Sequence, residues 1–257
     1  MDKNILNQQS QHWETNFSNK PEMFGLDPSY PAKKALNIFK ENKFSNVIEL
    51  GAGLGRDSIY FGKNSINLTA LDYSENGLKI INQKIKKENL TSSISTMKYD
   101  VRSKLPFENN SLDACYSHML YCMALTIDDL IKINSEIKRV LKPGGLNIYT
   151  VRNTDDGDYQ KGIHRGEDLY EIDGFIIHFF SKKTVQNLMN GYENISIEYF
   201  EEGSFPRKLF FVCNQKINQM YWRLSSFTAF SSLTKKSGIA LFTLLQVGMN
   251  GVSIGFK

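Results

Sequence analysis

The sequence predicts an α/β protein whose seven-stranded, mostly parallel sheet carries helices on both faces and closes with an antiparallel hairpin. Short apolar segments alternate with amphipathic segments between residues 45 and 216, as they do where crossover helices join parallel strands. One apolar segment, Asn46 to Leu50, runs directly into three alternating glycines and then into an amphipathic segment that begins at Arg56. This order predicts a strand-turn-helix corner where a ligand can approach the backbone closely.

Three regions are expected along the chain: a helical cover (1–44), a ligand-binding domain that contains a substrate loop (45–216, with the loop at 153–180) and a helical appendage (217–257). The first region is polar apart from isolated aromatic residues such as Trp13 and Phe17. Its predicted helix fits two interpretations. It is either a surface helix pinned by one aromatic ring or a lid over a small-molecule site.

Hydrophobic spacing and capping residues define the individual elements. Ser74, Thr126 and Ser181 are placed to cap three of the predicted helices. The helices are Ile5–Phe17, Ala32–Asn42, Arg56–Gly62, Glu75–Glu88, one from Thr126 to the turn Lys142-Pro143-Gly144-Gly145, and Ser181–Asn190. The strands are Asn46–Leu50, Ile66–Leu71, Ile94–Tyr99, Leu112–Met119, Leu146–Val151, Ile195–Phe200 and Leu209–Val212. Residues 153–178 have no clear period and are expected to form a long functional loop.

Polar or otherwise special residues stand at four of the predicted strand ends. They are Glu49 with the glycines that follow it, Asp72, Asp100 and the pair Ser117-His118. The carboxyl ends of parallel strands meet at one edge of a sheet, and open α/β sheets bind their ligands beyond that edge. We therefore expect these residues to share one binding site.

The spacing of the glycines favours one class of ligand over another. A dinucleotide fingerprint requires G-x-G-x-x-G, whereas here the third glycine comes one residue early and Arg56 stands in its place. Glu49 at the strand end is poorly placed for a pyrophosphate and well placed for a ligand with an ammonium or sulfonium charge. Both features count against a nicotinamide-dependent oxidoreductase, which we keep as a less favoured alternative.

The pattern E-x-G-x-G-x-G from Glu49 to Gly55 resembles motif I of the class I S-adenosylmethionine (SAM) dependent methyltransferases. Asp72, the Asp100-Val101 pair and the turn at Lys142 match that family in order and spacing. The run from Gly162 to Ser181 is similar to small microbial members related to the tellurite-resistance methyltransferases. The resemblance covers about residues 45 to 215. It implies a Rossmann-like fold, SAM as cofactor, S-adenosylhomocysteine (SAH) as product and methyl transfer to a small-molecule acceptor.

The resemblance also implies roles for individual residues. Gly51 and Gly53, with Ala52 between them and Glu49 before them, would hold the methionine part of SAM. Asp72 would accept hydrogen bonds from both ribose hydroxyls. The remaining implied contacts are Tyr73 beside the adenine, Asp100 to its amino group, the Val101 amide to a ring nitrogen and Ser117 near the sulfonium.

The methyl acceptor is not predicted by these motifs. A general base is needed only if the acceptor must lose a proton. The residues expected near the mouth of the site are His118, Tyr121, Tyr159, His164 and Arg165, and the candidate bases among them are His118, Tyr159 and His164. His178, between two apolar residues, is expected to be a buried histidine with its hydrogen bonds satisfied. The fourth strand is not followed by an Asn-Pro-Pro-Tyr run, which argues against the usual amino-methylating DNA and glutamine enzymes. A protein that binds SAM without catalysis, or serves assembly, is the second alternative.

Composition and charge indicate which classes of partner and which cellular location are expected. The net charge of +4 is slight and spread over 257 residues, so no nucleic-acid partner is expected. The cysteines, Cys115, Cys122 and Cys213, have no metal-ligand spacing and suit a cytoplasmic protein, as does an N-terminus without an apolar signal core. The apolar run Ile239–Met249 is too short to span a bilayer. It is expected to pack on the body of the protein or to join two copies in a homodimer.

Overall fold

A computed structural model of the chain describes residues 3–203 and 207–217. The helices are α1 (Lys3–Asn19), α2 (Tyr30–Glu41), α3 (Arg56–Lys63), α4 (Glu75–Lys87), α5 (Ile127–Val140) and α6 (Lys182–Asn187). The strands are β1 (Asn46–Leu50), β2 (Asn67–Asp72), β3 (Ile94–Lys98), β4 (Leu112–Ser117), β5 (Leu141–Arg152), β6 (Ile163–His164), β7 (Leu169–Ile172), β8 (Phe175–His178), β9 (Tyr192–Glu202) and β10 (Arg207–Lys216).

Seven of the strands form one sheet in the order β3-β2-β1-β4-β5-β10-β9. The first five strands in this order are parallel, and β10 and β9 are antiparallel to their neighbours. The predicted fold class, including the closing hairpin, is confirmed. The strand order reverses between β1 and β4, since β1 pairs with β2 on one side and β4 on the other. That switch point is where open α/β sheets bind ligands.

Hydrophobic cores cover both faces of the sheet. Successive side chains of a strand point to opposite faces, so neighbouring apolar residues of β1 belong to different cores. Val47 packs in one core with Phe39 of α2 and Phe61 of α3. Its neighbour Ile48 packs in the other core with Ile133 of α5. Because both faces are covered, the carboxyl edge of the parallel strands is the place left for a ligand.

Local capping explains where the helices begin. The hydroxyl of Ser74 accepts from Gly77 N, and that of Ser181 accepts from Thr184 N. Thr126 and Asp129 form a reciprocal capping box at the start of α5. These three caps are confirmed. Ser29 caps α2 in the same way, and the prediction had begun this helix at Ala32, two residues after its observed start at Tyr30.

The segment predicted as a long loop is partly folded. Strands β6, β7 and β8 form a separate three-stranded antiparallel sheet within residues 163–178, and we call it the small sheet. Its second turn places Asp173 and Gly174 at φ values of 50° and 81°, which two-residue hairpin turns require and Asp-Gly favours. Strands of two to four residues are too short to display the alternating pattern, so the prediction of a loop was wrong here.

The start of β5 also differs from the prediction. Helix α5 ends at Val140, and the strand begins at Leu141 instead of Leu146. Pro143 favours an extended conformation at the residue before it. A register shift between β4 and β5 accommodates the glycines that follow. The Lys-Pro-Gly-Gly stretch is therefore part of an irregular strand and does not form the end of the helix.

Several predictions fall outside the described residues. The C-terminal appendage, apart from Ile217, and its proposed role in a homodimer are among them, as is the connection at 204–206 between the last two strands. Within residues 3–203 and 207–217, no helix is long and apolar enough to cross a bilayer.

Candidate active site

The glycine turn (Gly51–Gly55) joins β1 to α3 at the switch point. Gly51 has φ 71° and Gly53 has φ 56°, which side chains other than glycine rarely adopt. A Cβ on Gly51 would lie 3.1 Å from the side chain of Leu120, and one on Gly53 would lie 3.6 Å from Phe17 Cζ. Because these two glycines have no side chain, Leu120 and Phe17 can lie close to the backbone of the turn.

Asp72 ends β2 and supports this turn. Its Oδ2 accepts a hydrogen bond from Gly53 N at 2.8 Å, and its Oδ1 accepts one from Ser74 N at 2.9 Å. Only 7% of the residue is exposed. Burial raises the pKa of Asp72 to about 6, against the opposing effect of the two backbone bonds. A carboxylate has about four acceptor positions, so Asp72 can still bind a donor from a ligand.

Glu49 lies beneath the turn. It is buried and accepts a hydrogen bond from the Ser58 hydroxyl. Burial, and then the neighbouring charge of Asp57, raise the pKa of Glu49 well above its ordinary value. A cation held nearby would lower that pKa and favour the ionised form.

A cavity of about 400 Å³ opens at Tyr73, the residue after Asp72, near the ends of β2, β3 and β4. It brings together three residues predicted for the site, Tyr73, Asp100 and Val101. The other residues that line it are Asn7, Gln9, Ser10 and Trp13 from α1, Lys98 and Arg102 near the end of β3, and Leu120, Met123, Ala124 and Leu125 after β4. The cavity is therefore polar at the ends of the strands and apolar on the side of the segment after β4.

Arg102 holds Asp100 in this cavity, and the sequence had not singled it out. Its guanidinium donates to both carboxylate oxygens, with a shortest distance of 2.6 Å, and its backbone N–H donates to Oδ1 at 3.0 Å. Burial alone would raise the pKa of Asp100, but Arg102 outweighs it and lowers that pKa. Asp100 is thus ionised and fixed in orientation, with 42% of its side chain exposed.

Ser117 ends β4, and the segment after it lines the cavity through Leu120, Met123, Ala124 and Leu125. Ser117 is fully buried, and its Oγ has no hydrogen-bond partner within the described part of the chain. Met119 has φ 63°, a conformation that is uncommon for a residue with a side chain and that often occurs at functional sites. This bend places Leu120 against Gly51.

His118 belongs to a polar cluster with Thr150, Glu202 and Arg56, which we call the His118 cluster. Its Nδ1 lies 2.8 Å from Thr150 Oγ1 and its Nε2 lies 3.0 Å from Glu202 Oε2. The other oxygen of Glu202 accepts from Arg56 at 3.1 Å. An ionised carboxylate can only accept, so we assign the proton to Nε2. Both ring nitrogens therefore have a partner.

Glu202 is the member of this cluster that sequence reasoning missed. Burial alone would raise its pKa, but the hydrogen bond from His118, the charge that this ring carries when it is protonated, and Arg56 lower the pKa of Glu202 to about 2. Glu202 comes from β9 and is 84 residues from His118 in sequence. The sequence contains no local signal for such a contact.

Tyr159 and His164, the other candidate bases, lie within the segment that carries the small sheet. The Tyr159 hydroxyl donates to Asp168 at 2.9 Å. His164 is exposed, and its Nε2 lies 2.8 Å from the carbonyl of Glu167. Neither is among the residues that line the cavity. His178 is buried with its Nδ1 at 2.8 Å from the Leu125 carbonyl, as predicted.

Comparison with known proteins finds similarity to one family over part of the chain. Residues 48–149 match the family described as "Methyltransferase domain". The chain is 33% identical over 127 residues to phosphoethanolamine N-methyltransferase 1 from Triticum aestivum, which covers 49% of this chain and 22% of that protein. It is 33% identical over 111 residues to the probable SAM-dependent methyltransferase TehB from Haemophilus influenzae, covering 43% and 37%. The matched stretch is thus well under half of either relative's length.

Solved structures show the same fold. A SAM-dependent methyltransferase from Methanosarcina mazei superposes with a TM-score of 0.62 at 18% identity, covering 74% of this chain and 99% of that one. TehB from Haemophilus influenzae superposes with a TM-score of 0.59 at 20% identity, covering 79% and 67%. The similarity extends beyond the matched family region and includes most of the sheet.

Proposed function

We propose that this chain is a class I SAM-dependent methyltransferase and that it transfers a methyl group from SAM to a small-molecule acceptor. The observation that carries the proposal is the arrangement at the switch point. The glycine turn, Asp72 and the cavity lined by Tyr73, Asp100 and Val101 lie together at the carboxyl edge of the sheet.

The residues present fit SAM as cofactor. Gly51 and Gly53 leave the backbone bare where the methionine part would pass, and Glu49 beneath them suits its positive charge. Asp72 retains acceptor positions for the ribose hydroxyls. The cavity beside it offers an aromatic ring at Tyr73 and an ionised acceptor at Asp100 for an adenine ring and its amino group. The cofactor-binding residues we propose are Glu49, Gly51, Ala52, Gly53, Asp72, Tyr73, Asp100, Val101 and Ser117.

When bound, SAM supplies a methyl group activated by a sulfonium, so the leaving group is already good. The protein then gains most by aligning the acceptor and excluding water. Leu120, held against the glycine turn, and Phe17, over Gly53, supply apolar walls at this point. The buried Ser117 Oγ adds one polar group that has no hydrogen-bond partner among the described residues.

The acceptor side is built around His118, Tyr159 and His164, which we propose as acceptor contacts. In the tautomer assigned above, His118 can take a proton only at Nδ1, where the Thr150 hydroxyl now donates. An acceptor with a free lone pair needs no base at all. The double change Tyr159→Phe with His164→Ala should lower turnover at least about tenfold and leave SAH affinity within about twofold. Unchanged turnover would show that neither Tyr159 nor His164 contacts the acceptor.

The curated relatives bear names with different acceptors, among them phosphoethanolamine and a sterol. We therefore propose the acceptor only as a small molecule. The three described cysteines are buried and unpaired, which supports a reducing, cytoplasmic location.

The proposal is tested by turnover. Purified protein is incubated with SAM and with panels of small amines, phenols, thiols and carboxylic acids, and SAH release is measured. SAH release that depends on one panel, and that is lost in Asp72→Ala, supports the proposal. Binding of SAH without turnover on any panel favours the alternative of a non-catalytic SAM-binding protein. Binding of NAD in place of SAH would support the oxidoreductase.

A further inference from the structure

One face of α1 runs along the carboxyl edge of the sheet. Asn7, Ser10, Trp13 and Phe17 are spaced three or four residues apart, so they share this face. The stretch from the first to the last spans about 15 Å of helix. Three of them line the cavity, and the fourth lies over Gly53.

Contacts at both ends fix this alignment. Arg102, which holds Asp100, also donates to Asn7 Oδ1 at 2.9 Å. At the other end, Phe17 is 4% exposed and lies 3.6 Å from the position of a Cβ on Gly53. Between them, Glu14 accepts from the backbone N–H of Asn76 at the start of α4. The helix therefore extends from the end of β3 to the glycine turn.

Trp13 is held by aromatic rings on two sides. Its ring centroid is 5.4 Å from that of Phe17 and 4.8 Å from that of Phe175 in the small sheet. It lines the same cavity as Tyr73 and Asp100. An aromatic face that borders a pocket with a second aromatic ring and an ionised carboxylate suits a flat, amino-bearing heterocycle.

Gln9 ties α1 to the small sheet. Its side-chain Nε2 donates to the carbonyl of Gly174 at 2.9 Å, and its Oε1 accepts from Ile176 N at 3.1 Å. One amide thus satisfies both a donor and an acceptor of the β7–β8 turn, as a neighbouring strand would. His12 packs against Phe175 beside it, with ring centroids 4.2 Å apart. We call this pair of hydrogen bonds the Gln9 clasp.

We infer that α1 is part of the cofactor site, with Trp13 forming a wall of the pocket for the adenine ring of SAM and the Gln9 clasp holding that wall in place. The inference rests on the proposed function. The helix lies along the edge where SAM would bind, so the cofactor leaves only after α1 has moved away. The rate of SAH dissociation is then set by the contacts of α1.

Tryptophan fluorescence tests this directly, because the chain has only two tryptophans, Trp13 and Trp222. In a Trp222→Phe background, saturation with SAH should change the emission of Trp13.

Calorimetry should show SAH binding at least about tenfold weaker in Trp13→Ala, about 1.4 kcal/mol, and within about threefold of the parent in Trp13→Phe. Stopped-flow fluorescence should show dissociation several-fold faster in Gln9→Ala. Gln8→Ala, at the exposed neighbouring position, is the matched control and should have no effect.

The possible failures are distinguishable. If the parent protein does not bind SAH, the proposed function has failed. If the parent binds SAH but Trp13→Ala binds it equally well, the inference is overturned. A rise in acceptor KM with unchanged SAH affinity would also overturn it and assign Trp13 to the acceptor side. If Trp13→Ala does not fold, Trp13 emission and Gln9→Ala decide: no emission change with SAH, or an unchanged dissociation rate, contradicts the inference.

Discussion

Asp72 and Glu202 are both carboxylates at the edge of the sheet, on opposite sides of β1, and their pKa values shift in opposite directions. Asp72 is buried, and burial raises its pKa to about 6, because its partners are backbone N–H groups that offset the burial only in part. Glu202 is partly buried, with 21% of its side chain exposed, and His118 and Arg56 lower its pKa to about 2. A carboxylate that is short of partners can gain them from a ligand, whereas one that is already paired holds the protein together.

The proposed cofactor side and the proposed acceptor side of the site also differ in how far apart in sequence their contacting residues lie. The proposed cofactor side is made by successive strand-turn-helix units, and the contact of Asp72 with Gly53 spans only 19 residues. The proposed acceptor side combines the end of β4, the last hairpin and the segment after β5, so its contacts are long-range. We therefore expect substitutions on the cofactor side to change binding, and substitutions on the acceptor side to change stability or turnover.

The largest effect is expected at Arg152, which ends β5. It pairs with Asp156 and, at 2.6 Å, with Asp158, and it is 4% exposed. Arg152→Met leaves the buried Asp156 without its cation, which should cost about 3–5 kcal/mol of unfolding free energy. Urea denaturation measures this. The more exposed pair Arg165–Glu171 is the control, since Arg165→Met should cost at most about 1 kcal/mol. Equal losses in the two variants would show that the buried pair has no special role.

A smaller effect, on SAH binding, is expected at Asp72. Asp72→Asn keeps the shape of the side chain but loses its charge and one of the two oxygens that accept from Gly53 N and Ser74 N. The folded variant should bind SAH about 1.5–3 kcal/mol more weakly in calorimetry. Asp113 is a matched control, because it also accepts from two backbone N–H groups, of Ser45 and Asn46, but at the opposite edge of the sheet. Asp113→Asn should lose stability and keep its SAH affinity. If both variants bind SAH like the parent, Asp72 does not contact the ribose.

The smallest effect is expected in the pH dependence of stability. The pKa of Glu202 is lower in the folded protein than its ordinary value of 4.5. Its contribution, about 1–3 kcal/mol, is therefore present above pH 4.5 and lost as the pH falls toward about 2. Asp72 has the opposite sign: its raised pKa favours the folded state at low pH, and this contribution is lost as the pH rises through about 6. Denaturation of the parent and of Glu202→Gln between pH 2 and 5 should converge at the acid end. Parallel curves would contradict the assignment.

The strand-end positions of the proposed cofactor-binding residues could be predicted from the sequence because their signals are local. Glu49, the glycines, Asp72 and Asp100 each follow an apolar run, and Ser74 and Thr126 cap helices within three residues. Glu202 could not be predicted, since its partners lie 84 and 146 residues away. The small sheet was missed because its strands are shorter than the pattern that identifies a strand. Arg102 was missed because an exposed arginine two residues after a strand-end aspartate has an ordinary surface role in most sequences.

The most direct test of the central claim is calorimetric titration with SAH at several pH values. We predict binding at one site with micromolar-range affinity near pH 7.5. The affinity should fall about tenfold per pH unit below about 6, because Asp72 must be ionised to accept from the ribose. The pH dependence should be absent in Asp72→Asn. No binding heat at about 1 mM SAH would contradict the account of the site as a whole, and a pH-independent affinity in the parent protein would contradict the role of Asp72.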